Sequence, residues 1–291
     1  MGNSAGVEYE VAESWDGFKW AIRKGGKYAH DRVVLSKGEL SVLRAFTLLA
    51  SKDKVFVDVG AHVGYYAVRM AKFYKYIYAF EPNPDNRENL LRNIELNGLD
   101  NVTVYPYALG DTEGVAKFYL RSTSSSLMPV QDAYDVIDVE VKRMDDVIDC
   151  ADVVKIDVEG WELHVLKGMT RIIDECKPAI EIEHHEFRGY NVDAYPAIRQ
   201  MLKERGYVML FLTTPHRLYY HRSNDLSAIK PLIVHHWIAY CVYNLERGRP
   251  WYYGLPYTWW WGMNLMDFIL ELPEHVDKEE EWIERLNELD V

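Results

Sequence analysis

The sequence predicts an α/β fold built on a doubly wound, mostly parallel sheet. Two observations lead to this prediction. Between residues 54 and 213, short apolar segments alternate with segments of helical periodicity, and such alternation produces crossover units around a parallel sheet. The chain also has 291 residues, of which 48% are hydrophobic, so it is long enough to bury a full core.

The first 50 residues precede this alternation and are interpreted as a lead-in, with a short strand at 18–24 and a helix at 39–50. Residues 51–215 form the predicted core domain. Residues 216–291 are rich in Tyr, Trp and His and form a C-terminal extension that contains the aromatic stretch 251–261. This stretch is interpreted as core packing, a homo-oligomer interface or a cover over the acceptor site.

The core begins with VFVDVGAHVGYYAVRMA, residues 55–71, where an apolar strand turns into a helix at Gly60 and Gly64. Glycines in such a turn let the backbone approach a ligand closely. Glu81 ends the next predicted strand, 76–82, and an acid about 20 residues after the loop accepts hydrogen bonds from ribose hydroxyls. The combination indicates a site for an adenosine nucleoside, with a purely structural turn as the alternative.

Asp58 lies inside the first of these strands, where a carboxylate is costly unless it has a partner. It is predicted to meet the ammonium group of the ligand, directly or through water. The alternative is that Asp58 only caps amides of the loop.

The remaining elements follow from periodicity and from turn residues. Helices are predicted at 85–98, 161–176 and 193–204, strands at 101–109, 153–160, 179–187 and 207–213, and a hairpin inserted after residue 109.

Charged residues cluster at the ends of two predicted neighbouring strands. Lys155, Asp157 and Glu159 share one face by the period of two, and Glu181, Glu183, His184 and His185 follow on the next strand. Such a set forms either a general base with an orienting partner or a divalent metal site, and a histidine packed in the core is the alternative. We take His184 as the base, oriented by Glu159 or Asp157. No metal site is predicted, because hard cations prefer more carboxylates than the sequence clearly gathers.

Four motifs in order carry a resemblance over roughly residues 30–215. They are VFVDVGAHVGYYAV, FEPNPDNRENLLRNIELNG, NVTVYPYALGDTEG and VVKIDVEGWELHVLKGM. Together they resemble the FkbM family of class I S-adenosylmethionine-dependent methyltransferases, which implies a Rossmann-like fold. His62 and Trp161 depart from the usual family pattern, in which Asn and a small residue are commoner.

The resemblance assigns roles to the cofactor-binding residues. It implies that Glu81 holds the ribose of S-adenosyl-L-methionine, that Gly60, Ala61 and Gly64 line the methionine moiety, and that Pro82 and Asn83 flank the sugar. It also implies that Ala108 and Leu109 frame the adenine. Asp111 belongs either to this group or to a turn, and Ser125 and Ser126 either bind a ligand or lie in a polar loop.

The function implied is O-methylation of a carbohydrate, glycan or natural-product acceptor at a hydroxyl or carboxylate. An RNA ribose or protein methyltransferase, or a non-catalytic nucleoside-binding module, is the alternative. The net charge of −12 disfavours nucleic acid. Three cysteines without a CxxC pair, and no apparent signal peptide or membrane span, lead us to expect free thiols and a cytoplasmic location.

Overall fold

The structure is a computed structural model that describes residues 7–121, 124–129, 131, 133–185, 194–213, 215–229 and 231–232. The aromatic stretch 251–261 and Cys241 lie outside the described residues, so the interpretations of the C-terminal extension rest on the sequence alone.

Twelve strands occur in the described residues. They are β1 (Tyr9–Glu13), β2 (Lys19–Arg23), β3 (Val55–Val59), β4 (Tyr76–Phe80), β5 (Val102–Tyr105), β6 (Ala108–Leu109), β7 (Gly114–Leu120), β8 (Asp135–Lys142), β9 (Val153–Ile156), β10 (Ala179–Glu183), β11 (Tyr207–Thr213) and β12 (His216–His221).

The α-helices of the same residues are α1 (Leu40–Leu49), α2 (Tyr65–Met70), α3 (Pro84–Leu96), α4 (Met144–Val147), α5 (Glu162–Lys167), α6 (Thr170–Cys176) and α7 (Ala194–Glu204). None of the helices over the described ranges combines the length and the apolar composition that crossing a membrane requires.

The central sheet has seven strands in the order β11-β12-β10-β9-β3-β4-β5. The five strands from β10 to β5 run parallel to one another, and β12 inserts antiparallel between β10 and β11. This arrangement confirms the predicted fold class. Since β12 spans His216–His221, the sheet continues past residue 215, where the sequence suggested that the core ends.

A second sheet of three strands has the order β6-β8-β7. The antiparallel pair β7–β8 is the inserted hairpin that the sequence predicts. The prediction of one strand over 101–109 is wrong, because β5 ends at Tyr105 and β6 pairs with β8 instead. Pro106 lies between them, and proline has no N–H to continue a ladder.

Two further predicted elements differ from the structure. The helix predicted over 161–176 is two helices, α5 and α6. Gly168 lies between them and packs so closely on the chain at Gly110 that a Cβ would lie 1.9 Å from the Gly110 carbonyl oxygen. The strand predicted over 153–160 ends at Ile156, and the chain then turns through Glu159, whose φ is 55°.

The lead-in packs against the outer side of α3. Its strands β1 and β2 form an antiparallel pair, and the Asn93 side chain of α3 accepts a hydrogen bond from the Ala21 amide at 2.8 Å. The strand β1 was not predicted, since its apolar Val11 is 62% exposed and lies among charged residues on a small two-stranded sheet.

Two hydrophobic clusters cover the two faces of the central sheet. One contains Phe46, Phe56 and Tyr74 from the side of α1 and α2, with the Phe46 and Phe56 rings 4.9 Å apart in an edge-to-face contact. The other contains Val165 of α5 and Leu202 of α7. Helices therefore flank the sheet on both faces, as a doubly wound fold requires.

Cys150 and Cys176 are joined by a disulfide, with their Cα atoms 5.9 Å apart. The expectation of free thiols is therefore wrong for this pair. The two residues are separated by 26 positions, and the sequence contains no spacing that shows α6 ending beside residue 150.

The first prediction concerns a buried ion pair that ties the lead-in together. The Arg23 guanidinium contacts Asp31 Oδ1 at 2.6 Å, and the two side chains are 3% and 2% exposed. Asp31→Asn should lower the free energy of unfolding by about 3–5 kcal/mol, because it leaves the guanidinium buried without its counter-charge. Denaturant-induced unfolding would measure this loss.

The matched control is Glu88→Gln on α3. Glu88 pairs with Arg92 at 3.0 Å, but both side chains are more than 40% exposed. This substitution should cost only about 0–1 kcal/mol. Equal losses for the two variants would contradict the prediction.

Candidate active site

A cleft lies beyond the carboxyl ends of β3, β4 and β9 and encloses about 980 Å³ of empty space, part of it open to solvent. Ligands of doubly wound sheets bind in this position. The predicted site residues that line the cleft are Gly60, Ala61, Glu81, Pro82, Ala108, Leu109, Lys155, Asp157 and Glu159. Asp58, Gly64, Asn83, Asp111 and His184 do not line it.

The glycine loop forms one wall of the cleft. The amides of Gly60 and Ala61 both donate to the Phe80 carbonyl at 3.0 Å, which ties the loop to the end of β4. Gly60 has a φ of 80°, and a Cβ there would lie 1.9 Å from the Asp157 carbonyl oxygen. The loop can therefore approach the end of β9 only with glycine at this position.

Glu81 lies directly after β4 and is 5% exposed. Its Oε2 accepts from the His62 amide at 2.7 Å and its Oε1 from the Asn83 amide at 2.8 Å. Burial raises the pKa of Glu81 to about 7, although these two bonds oppose the shift. A carboxylate oxygen has more than one lone pair, so Glu81 can still accept hydroxyl donors from the cleft.

Gly64 and Asn83 begin the two helices that flank the loop. Gly64 precedes α2 with a φ of 98°, and a Cβ there would lie 2.5 Å from Leu90 Cδ1. Asn83 caps α3, because its side chain accepts from the Asp85 amide at 3.0 Å. Both residues hold the helix starts next to the loop and Glu81 without lining the cleft. Their predicted contacts with a cofactor stay predictions.

Asp58 and Lys155 are neighbours on β3 and β9 and face the same side of the sheet. Asp58 is fully buried, and its Oδ2 accepts from the Ala67 amide at 3.0 Å while its Oδ1 lies 3.7 Å from Lys155 Nζ. The amide that Asp58 binds belongs to α2 and not to the glycine loop, and the lysine supplies the counter-charge of Asp58. Its predicted contact with a ligand's ammonium group stays a prediction.

Ala108 and Leu109 of β6 line the cleft together with Tyr107. Asp111, which follows them, turns away from the cleft and its Oδ1 lies 3.0 Å from His164 Nδ1. The Trp161 indole stacks on the same His164 ring at 3.8 Å between centroids and also lines the cleft. Trp161, one of the two departures from the family pattern, thus narrows the cleft.

His185 lies among carboxylates that follow β9 and end β10. Its Nε2 lies 3.3 Å from Glu159 Oε2, 3.5 Å from Glu183 Oε1 and 3.7 Å from Asp157 Oδ1. Burial lowers the pKa of His185, but hydrogen bonds with Glu162 and Glu183 outweigh this and raise it to about 11. Burial alone would raise the pKa of the Asp157 carboxyl, but the Lys155 ammonium holds this pKa well below its usual range.

His184 points to the other face of the sheet. Its ring lies 4.7 Å from the Tyr195 ring of α7 in an edge contact, and its Nε2 lies 3.3 Å from the Tyr219 hydroxyl. Burial lowers the pKa of His184 to about 3. The structure therefore does not bring His184 to Asp157 or Glu159, because successive residues of a strand face opposite sides.

A second histidine, which the sequence analysis missed, lies next to the same carboxylates. His216 of β12 is opposite Glu183 in the sheet, and its Nδ1 lies 2.9 Å from Glu181 Oε1. Burial lowers the pKa of His216, but Glu181 raises it to about 9. Glu39, whose carboxylate hydrogen-bonds the Tyr66 hydroxyl, lines the cleft beside them.

The serine loop connects the second sheet to this site. Ser126 is buried, and its hydroxyl donates to the Glu159 carbonyl at 2.8 Å. Ser125 lines the cleft and bonds the Arg121 backbone. Ser126 therefore holds the turn in which Glu159 adopts a left-handed backbone, and its hydroxyl is committed to the protein.

Comparison with known proteins extends these observations. The model of the methyltransferase FkbM domain matches residues 58–209, just over half of the chain. The hexuronic acid methyltransferase AglP of Haloferax volcanii is 30% identical over 154 residues, which cover 51% of this chain and 63% of the relative. Methyltransferase sdnD of Sordaria araneosa is 28% identical over 191 residues, covering 52% of this chain and 72% of the relative.

Among solved structures, a methyltransferase FkbM from Methylobacillus flagellatus KT is 23% identical with a TM-score of 0.43, and the overlap covers 59% of this chain and 44% of that chain. This chain thus spans less than two thirds of the length of the Haloferax relative and of the Methylobacillus protein.

The second prediction tests the close approach at Gly60. Gly60→Ala should destabilise the fold more than Gly17→Ala, because both glycines have a φ of 80° but Gly17 has nothing within 4 Å of a Cβ. The shared left-handed backbone costs alanine about 1–2 kcal/mol, and the clash at Gly60 should add about 1–3 kcal/mol. Denaturant unfolding of the two variants measures the difference, and equal losses would show that the loop moves away without cost.

Proposed function

The chain belongs to the FkbM methyltransferase family, and from this membership we propose that it methylates an oxygen atom of a carbohydrate or natural-product acceptor. The match to the family model confirms the resemblance that the four ordered motifs carry. The name of the Haloferax relative, a hexuronic acid methyltransferase, supports the acceptor class.

The observation that carries the proposal is that one cleft joins two sets of groups. One set is the glycine loop and Glu81, and the other is Lys155, Asp157 and Glu159, which lies next to the loop because Lys155 Nζ is 3.5 Å from the Gly60 carbonyl oxygen. A cofactor that joins a nucleoside to a transferable group fits this arrangement, because its nucleoside would contact the first set while its transferable group lies beside the second.

S-adenosylmethionine fits the residues of the first set. Gly60 lines the cleft with backbone alone, and Glu81 lines it with a carboxylate. When bound, the cofactor supplies an activated methyl group on a sulfonium, which is a good leaving group. Glu81 would hold the ribose hydroxyls, and the walls formed by Tyr107, Ala108 and Leu109 would hold the adenine.

The residues of the acceptor side would align the acceptor oxygen and remove its proton where it is a hydroxyl. Alignment contributes about 7–11 kcal/mol in favourable cases. The ion pair with Lys155 at 3.1 Å makes Asp157 a weak base, so Asp157 is suited to orient the hydroxyl by accepting its hydrogen bond. Glu159 pairs with His185 at 3.3 Å and not with the lysine, and we assign proton removal to this glutamate because its turn places it on the cleft wall.

The third prediction concerns cofactor affinity and pH. With a pKa of about 7, Glu81 is ionised above neutral pH and protonated below it, and the ionised form accepts the ribose hydroxyls better. S-adenosylhomocysteine should therefore bind about tenfold more weakly at about pH 6 than at about pH 8. Isothermal calorimetry in matched buffers would measure the two dissociation constants.

Glu81→Gln is the control for this experiment. It keeps the shape of the side chain but cannot ionise, so its affinity should be weaker by about tenfold at the higher pH and should change little with pH. A wild-type affinity that does not respond to pH, together with a variant of equal affinity, would remove Glu81 from the cofactor site.

The fourth prediction separates the two candidate bases. With an acceptor that is methylated on a hydroxyl, Glu159→Gln should lower kcat by about 10²–10⁴-fold and leave the affinity for S-adenosylhomocysteine unchanged. His184→Gln should leave kcat within a few-fold of wild type, because His184 faces α7. Transfer of a tritiated methyl group to a panel of neutral and uronic acid glycosides provides the assay.

The reverse pattern, with kcat lost in His184→Gln and kept in Glu159→Gln, would restore His184 as the base. Binding of S-adenosylhomocysteine without transfer to any acceptor class would leave the cofactor assignment standing and contradict the acceptor assignment.

A further inference from the structure

The Nε2 atom of His185 points into a group of three carboxylates. Glu159, Glu183 and Asp157 place oxygen atoms 3.3, 3.5 and 3.7 Å from it. They come from separate parts of the chain, since Asp157 follows β9, Glu159 lies in the next turn and Glu183 ends β10. The donor atoms of Asp157, Glu183 and His185 all lie within 4.8 Å of one another.

A further carboxylate, outside this group, fixes the orientation of the imidazole. His185 Nδ1 lies 2.9 Å from Glu162 Oε1, and the same oxygen accepts from the Gly160 amide at 2.8 Å. Glu162 is 4% exposed. Histidines that bind metal ions characteristically donate their second ring N–H to a carboxylate in this way, which directs the other nitrogen to the ion.

The neighbouring Glu181 supplies a second, independent observation. It is completely buried, its Oε1 bonds His216, and its Oε2 has no hydrogen-bond partner among the described residues. It lies two residues before Glu183 on β10 and so faces the same side of the sheet. A buried carboxylate oxygen without a hydrogen-bond partner is costly, and a divalent ion beside Glu183 would add to the stabilisation that His216 and Lys155 already give to Glu181.

We propose that Asp157, Glu183 and His185 bind one divalent transition-metal ion of the manganese type, which displaces the proton from His185 Nε2. A mixture of imidazole and carboxylate ligands suits such ions, whereas calcium prefers oxygen ligands alone. In a six-coordinate site with bonds of about 2.1 Å, neighbouring ligand atoms are about 3 Å apart. The donor atoms of Asp157, Glu183 and His185 all lie within 4.8 Å of one another, so they are within about 2 Å of this spacing.

The site would lie at the acceptor end of the cleft, because Asp157 and Glu159 line it. A metal ion there would lower the pKa of an acceptor hydroxyl and would share with Glu159 the task of proton removal. Binding itself does not depend on methyl transfer, so it is tested without cofactor or acceptor.

The experiment titrates the full chain with Mn²⁺ alone and follows the free ion by electron paramagnetic resonance. Pulsed measurements on the bound ion then report whether a nitrogen atom is coordinated. Wild type should bind one ion with a nitrogen signal. His185→Gln should lose this signal and at least about tenfold in affinity, and Glu162→Gln should weaken binding by about 10–100-fold while keeping the signal.

His184→Gln is the matched control, since it changes the adjacent histidine on the opposite face and should bind Mn²⁺ as wild type does. Asp157→Asn serves as a second ligand variant if His185→Gln does not fold, because the Asp157 side chain is 27% exposed. It should weaken binding by at least about tenfold.

Three results would overturn the proposal. The first is no Mn²⁺ binding by wild type at millimolar concentration, and the second is a His185→Gln variant that binds as wild type does. The third is a nitrogen signal that persists in His185→Gln and disappears in His216→Gln, which would place the ion at Glu39, Glu183 and His216, a second group with donor atoms of this spacing.

Discussion

The candidate site depends on one buried positive charge, the ammonium group of Lys155. This side chain is 3% exposed, and its Nζ lies 3.1 Å from Asp157 Oδ2 and 3.7 Å from Asp58 Oδ1. It also lies 3.5 Å from the Gly60 carbonyl and 5.2 Å from the centre of the Tyr66 ring. Burial lowers the pKa of Lys155, but Asp157 and Asp58 raise it well above its usual value, so the group stays charged. Lys155 thus joins β3, the glycine loop and the end of β9, and removing it would leave Asp58 as an uncompensated buried charge.

Much of the fold follows from sequence because the buried strands of the parallel sheet are short apolar runs and the longest helix, α3, carries its own start and stop signals. Asn83 caps α3 as its position before Pro84 indicates, and Glu81 lies at the end of β4 beside the glycine loop. What the sequence does not show is where tertiary contacts interrupt a local pattern. β5 ends before Pro106, and Ala108 then pairs in the second sheet. Similarly, one segment of helical periodicity forms two helices, which meet where Gly168 packs against Gly110.

The choice between His184 and His185 shows a different limit. Both residues follow the strand that delivers Glu181 and Glu183, and only the parity of positions decides which histidine shares their face. Applying the period of two along β10, as along β9, selects His185, and the structure places it among the carboxylates. His216 and Glu39 are harder to predict, because β12 and the segment before α1 reach the site only through sheet order and packing.

The charge of the cleft connects the proposed metal ion to the identity of the acceptor. Among the described residues that line the cleft, Glu39, Asp157 and Glu159 are acidic on the proposed acceptor side. The two cations beside them, Lys155 and His185, already contact carboxylates. A uronic acid acceptor would bring its own carboxylate to this surface and would be repelled at short range. A neutral hydroxyl acceptor meets no such repulsion, because carboxylates accept hydrogen bonds from hydroxyl groups. A divalent ion held by Asp157, Glu183 and His185 would reverse this preference, since it would neutralise the cluster and offer open positions to an anionic acceptor. The metal content of the site therefore determines which acceptor charge it favours. A preference for uronic acids over neutral glycosides that appears only with Mn²⁺ would support both the metal site and an anionic acceptor.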